Sequence, residues 1–110
     1  MKKKITQLKE ITQSNFSKLR NKHDWMVCMF YTDICPSCKT VEPLLLRLQK
    51  KYGGNGADIV FGKCNGQSHQ QLSRLYQIMH VPTILVFQRG NGLPIHVQPE
   101  RLAEKLSEVI

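Results

Sequence analysis

Apolar residues change their period several times along this chain, and each change predicts an element. Trp25 to Tyr31 (WMVCMFY) is a continuous apolar run bounded by polar turns. It is too short for a comfortable globular helix and reads as an interior strand buried on both faces, as in a parallel sheet. Ahead of it, Ile5 to Leu8 alternates weakly and predicts an edge strand. Gln13 to Lys22 places Phe16 and Leu19 three apart behind Ser14, a candidate cap, and predicts a short helix. Asn21 to Asp24 then reads as a turn. Val41, Leu44, Leu45, Leu48 and Tyr52 recur at helical intervals through about Lys51, with Pro43 inside the pattern, where it should kink the helix. The glycine-rich stretch from Tyr52 to Gly56 stops it.

Ile59 to Cys64 predicts a second strand, and Gln67 to Ile78 a helix carrying Leu72, Leu75 and Tyr76. Val81 to Phe87 predicts a third strong strand. Arg89 to Gly92 turns into Leu93 to Val97, giving an antiparallel hairpin. Pro99 opens a last helix with Leu102, Leu106 and Val109 or Ile110 on one side. The order β-α-β-α-β-α-β-β-α predicts an α/β fold, a mixed central sheet with helices on both faces. No internal repeat is visible.

At 110 residues and 41% hydrophobic, the chain is expected to form one domain, residues 1–110, with a real core. Sixteen Lys and Arg against eight Asp and Glu leave a formal charge of +8. The basic residues form no stripe, and no RNP-like aromatic motif, finger spacing or GxxG clamp accompanies them, so a solvated basic surface is favoured over nucleic-acid binding. No stretch approaches a membrane span. The N-terminus, MKKKITQLKE, is basic but lacks the apolar run and cleavage pattern of a signal peptide, so a cytoplasmic location is expected.

The chemistry lies in YTDICPSCKT, residues 31–40, where Cys35 and Cys38 straddle Pro36 and Ser37 just before a helical pattern. By itself such a pair suits a redox centre, half of a metal site or a structural disulfide. Zinc normally asks for four ligands. Cys28 and Cys64 are isolated within strands, and His69 and His80 are separated by a helical segment, so no metal is expected. A helix start favours an anion, so Cys35 is expected to have a depressed pKa and to attack. Cys38, one turn along and somewhat deeper, is placed to resolve a mixed disulfide. A second mark is Val81-Pro82-Thr83, because a proline before a buried strand cannot complete the ladder. One explanation is a cis bond exposing the neighbouring backbone, in which case Val81 can pair with an extended substrate.

Over almost its whole length the chain resembles the thioredoxin family. The resemblance rests on the cysteine pair between strand and helix, Pro43 inside that helix, and Val81-Pro82-Thr83 before the hairpin. It implies a thioredoxin-like fold, with the family's nucleophile on Cys35, its resolving thiol on Cys38 and its cis-proline on Pro82. It also implies dithiol–disulfide exchange with protein substrates and a flavoenzyme reductase as electron source. No cofactor is expected, and a monomer is. Substrate contacts are expected from Ile34, Pro36, Ser37, Val81, Pro82 and Thr83. Disulfide oxidation or isomerisation, and a non-catalytic binding module, are the rival readings.

The chain also departs from the family. Ile34 stands where Trp is usual before the first cysteine, which changes the surface offered to partners. Met29, which cannot move a proton, stands where a buried Asp is usual beneath the pair. Lys63, the neighbour of that acid, is retained and is expected to reach solvent or a water. Deprotonation of Cys38 is then less assisted. His80, two positions before Pro82, either tunes Cys35 and meets substrate or is an exposed loop residue. Cys28 and Cys64 are expected on one face of adjacent strands, as two small buried hydrophobes or as a second redox pair.

Overall fold

A computed structural model describes residues 7–53 and 56–110. Its elements are β1 (Lys9–Glu10), α1 (Phe16–Lys22), β2 (Trp25–Tyr31), α2 (Pro36–Gly53), β3 (Ile59–Asn65), α3 (Gln70–Leu75), β4 (Thr83–Gln88), β5 (Ile95–Val97), a 3₁₀ turn (Pro99–Arg101) and α4 (Leu102–Val109). The five strands form one sheet in the order β1-β3-β2-β4-β5. β3 runs parallel to both β1 and β2, whereas β4 is antiparallel to β2 and β5 to β4. This is the mixed sheet, helix-covered on both faces, that the element order predicts.

Alternation along the strands sorts the core into two layers. On one face Val27, Met29, Phe61, Ile84 and Val86 pack with Leu45, Leu48 and Tyr52 of α2 and Leu102 and Leu106 of α4. On the other, Met26, Cys28, Phe30, Cys64, Leu85 and Phe87 meet Phe16 and Leu19 of α1 and Leu72 of α3. Phe87 is the hub of the second layer, edge-on to Phe16 at 5.4 Å and to Tyr76 at 5.2 Å between ring centroids.

Several predicted boundaries move, each for a local reason. Ile5 and Thr6 of the predicted first strand lie outside the described residues, and the pairing segment is Lys9–Glu10, flanked by buried Leu8 and Ile11. What selects it is Gly62 on β3: a Cβ there would stand 2.7 Å from the Lys9 carbonyl oxygen and would overlap the Ile11 side chain. α1 begins at Phe16 rather than Gln13, and Ser14 is not its cap. Instead the Thr12 N–H donates to Asn15 Oδ1 at 2.8 Å, and the Asn15 N–H donates to Thr12 Oγ1 at 3.2 Å. Gly54 and Asn55, within the predicted stop after α2, also lie outside the described residues.

α3 is shorter than predicted. Asn65 Oδ1 accepts the N–H groups of Gln67 and Ser68 in a side-chain turn, so the chain reaches helical geometry only at Gln70. Gln77, at φ 53°, ends the segment in the left-handed region. Leu75, expected on the apolar face, is exposed. Strand β4 starts after Pro82, since proline has no N–H for the ladder. Leu93 is exposed and only Ile95–Val97 pair in the hairpin.

Candidate active site

The antiparallel register pairs Phe30 of β2 with Thr83 of β4. The loop that leaves β2 and the residues that enter β4 therefore emerge at the same end of the sheet. That loop is shaped by Thr32, whose hydroxyl donates to the Ile34 carbonyl at 3.2 Å, and by Asp33, which accepts the Asn65 side-chain amide at 3.0 Å. Ile34 is thrown outward, 89% exposed.

Cys35 immediately precedes Pro36, the first residue of α2. A helix leaves its first N–H groups unpartnered, and proline spends one of them at no loss. The Cys38 N–H meets both the Cys35 carbonyl and Cys35 Sγ at 3.1 Å. Cys35 thus does with sulfur what a serine cap does with oxygen. Cys35 and Cys38 are joined in a disulfide, their Cα atoms 5.3 Å apart. The two are almost equally buried, 6% and 4% exposed, so the expected difference in depth is slight. Pro36 and Ser37, between them, are exposed, and α2 runs unbroken through Pro43.

The Val81–Pro82 peptide bond is cis, as the resemblance implied. The Thr83 hydroxyl donates to the His80 carbonyl at 2.6 Å and also lies 3.5 Å from His80 Nδ1, which ties the approach to β4. Val81 is half-buried against the core layer that contains both cysteines. A groove of about 270 Å³ beside it is lined by Met79, His80, Pro82, Thr83, His96 and Gln98 among others. The residues expected to meet substrate are thereby divided. Pro82 and Thr83 belong to this groove, whereas Ile34, Pro36 and Ser37 stand exposed around the disulfide. His80 is exposed at the groove, so it is a surface residue beside the cis-proline.

Lys63 does not reach out to solvent. Its Nζ lies 3.3 Å from both carboxylate oxygens of Glu42 on α2 and 3.8 Å from Glu10 Oε1 on β1, over the Tyr31 ring at 5.1 Å. The Tyr31 hydroxyl donates to Glu10 at 3.0 Å. Burial, helped by the Glu10 carboxylate it donates to, pushes the Tyr31 phenol up to about 12. Met29, fully buried, is paired with Lys63 in the sheet register. Neither glutamate stood out in the sequence. The available signal was the spacing of Glu42, four residues after Cys38, which puts the two on one helix face.

Cys28 and Cys64 are free thiols on the face opposite the disulfide, both fully buried. Burial, then the nearby Cys64, pushes the Cys28 thiol well above its ordinary range, and burial, then Glu10, pushes Cys64 up to about 11. They stand as small apolar groups. Among the described residues, no group of three or more His, Cys, Asp or Glu is placed to hold a metal ion. No described helix is long and apolar enough to cross a membrane.

A disulfide at a helix start, with a cis-proline at the same end of a mixed sheet, defines a thiol–disulfide redox protein. The thioredoxin family model matches residues 7–110, and the chain belongs to the thioredoxin family. It is 30% identical over 81 residues to a thioredoxin of Neurospora crassa, covering 74% of this chain and 63% of that one. It is 29% identical over 87 residues to the chloroplastic 5'-adenylylsulfate reductase 3 of Arabidopsis thaliana, covering 79% of this chain but only 19% of the relative. The chain thus spans less than two thirds of either relative. Oxidised mitochondrial thioredoxin 3 from Saccharomyces cerevisiae shares the fold, with a TM-score of 0.76 at 23% identity, covering 92% of this chain and 94% of that one.

Proposed function

We propose that this protein reduces disulfides in other proteins by two successive thiol–disulfide exchanges. The observation that carries this reading is the 3.1 Å approach of the Cys38 N–H to Cys35 Sγ. A sulfur that accepts a backbone N–H at the open end of an 18-residue helix is the one whose anion that helix favours.

In the reduced protein the Cys35 thiolate attacks one sulfur of the substrate disulfide. The Cys35–substrate bond forms, the substrate bond breaks, and the second substrate sulfur leaves as a thiolate that takes a proton. Cys38 then loses its proton and attacks Cys35 Sγ. The Cys35–Cys38 bond forms and the first substrate sulfur leaves, so the substrate has gained two electrons and two protons. Val81, beside the cis bond, aligns an extended substrate chain through its backbone, while Ile34, Pro36, Ser37, Pro82 and Thr83 form the surrounding surface. A flavoenzyme reductase returns the electrons.

Similarity to a thioredoxin supports the reducing direction. Insulin reduction driven by dithiothreitol tests the whole reading. The wild-type protein accelerates it, Cys35→Ser does not, and Cys38→Ser accumulates mixed disulfides with substrate. Full activity in Cys35→Ser would overturn the assignment. A redox equilibrium against glutathione fixes the direction: a potential near those of disulfide oxidants would favour oxidase chemistry.

A further inference from the structure

The exchange chemistry proposed above needs a proton to leave Cys38 before that sulfur can attack, yet Cys38 is only 4% exposed. Sheet residues of its own core layer, Met29 and Ile84 among them, accept no proton. The carboxylate one helical turn on is Glu42, with Cβ atoms at this spacing about 5–6 Å apart on one face of a helix. Glu42 is half-buried, its side chain 27% exposed, and it is ion-paired with Lys63. Lys63 holds both of its oxygens at 3.3 Å from the strand that neighbours Met29.

We propose that Glu42, tethered by Lys63, takes the proton from Cys38 in the resolving step. Cys38 S–H gives its proton to the Glu42 carboxylate, directly or through one water, as Cys38 Sγ bonds to Cys35 Sγ. The bond from Cys35 to substrate breaks, and the departing substrate thiolate is protonated by solvent. Glu42 releases its proton to solvent in the next cycle. The acid that assists resolution is therefore carried on the helix of the cysteines rather than on the strand beneath them. The other charged or titratable groups set against Glu42 are Lys63 from β3, with Glu10 from β1 and Tyr31 from β2 beyond it, and Cys38 and Lys39 on α2 itself. α4 meets this layer through the apolar Leu102 and Leu106.

The test is stopped-flow reaction of the reduced protein with an aryl disulfide whose thiolate absorbs visible light. The first release of chromophore reports attack by Cys35 and the second reports attack by Cys38. In Glu42→Gln the first release keeps its rate and the second slows about 100-fold at pH 7, the low end of what a positioned base contributes. Between about pH 6 and 8 the second release is nearly flat in the wild type and climbs about tenfold per unit in Glu42→Gln, following hydroxide alone. Glu42→Asp, which keeps the acid, restores much of the plateau. An unchanged second release, or an equal slowing at every pH, overturns the role of Glu42 and leaves the exchange reading standing. A wild-type protein with no second release would overturn both.

Discussion

Phe30 and Thr83 face each other across the antiparallel β2–β4 ladder, and this one pairing brings the chemistry together. Five residues after Phe30 comes Cys35, and one residue before Thr83 comes the cis-proline Pro82. Sequence separates the two marks by more than forty residues, and the register of two strands puts them at one end of the sheet.

The asymmetry of the two sulfurs is open to direct measurement. The Cys38 N–H is aimed at Cys35 Sγ, and on the proposed mechanism this contact makes Cys35 the attacking sulfur. In reduced protein at pH 7, iodoacetamide should modify Cys35 at least about tenfold faster than Cys38, as read by peptide mass mapping after quenching. Equal rates would remove the physical basis for calling Cys35 the attacking thiol.

The opposite face gives a pH signature. Folding raises the Cys64 thiol from 9.0 to about 11 and moves Cys28 in the same direction. In this window the unfolded chain has lost protons that the folded chain retains, so unfolding becomes easier as pH rises. The contribution is complete below about pH 9 and is lost as pH climbs toward 11. Urea unfolding at pH 8 and pH 10 should show a larger fall in stability for the wild type than for a Cys28→Ala, Cys64→Ala double variant, which retains Tyr31. Mild oxidation of the native protein should leave both thiols free.

Gly62 reports on how β1 is held. An added Cβ would stand 2.7 Å from the Lys9 carbonyl oxygen, a backbone atom that cannot rotate away. Gly62→Ala should cost about 1–3 kcal/mol in denaturant unfolding, the usual range for forcing an extra methyl group into a packed site. The Ile11 amide, which donates to the Lys63 carbonyl at 2.7 Å, should then exchange faster with solvent. An unchanged midpoint would mean that β1 is not docked as described.

Gln77 offers a gain instead. It is exposed and sits at φ 53°, a region that costs a residue bearing a Cβ about 1–2 kcal/mol. Gln77→Gly should raise stability by about 1 kcal/mol, because glycine carries no such penalty there.

Much of this fold was legible because periodicity reports burial. The run Trp25 to Tyr31 has no polar face, so only an interior strand suits it, and it forms over those residues. Leu102 and Leu106 repeat at helical spacing and are both fully buried. The errors fell where side chains bond to nearby backbone. Asn65 captures two amides and delays α3, and Thr12 with Asn15 displaces the expected cap at Ser14. Such local bonds compete with helix formation without leaving a periodic trace.

The site divides along the same line. A cysteine pair beside a helical pattern, and a proline ahead of an apolar strand, are local statements that the sequence makes alone, because they depend only on where a helix begins and where a ladder lacks a donor. The partners of Lys63 were not readable. Its ammonium group meets the carboxylates of Glu42 on α2 and Glu10 on β1, residues more than thirty positions apart, and only the order β1-β3-β2 with α2 packed above it brings them within 4 Å. The sequence by itself determined that a cysteine pair opens a helix and that a proline precedes a buried strand, whereas the tertiary structure decided that the two share one end of the sheet and which charges gather around Lys63, since contact between distant residues is set by strand order and register.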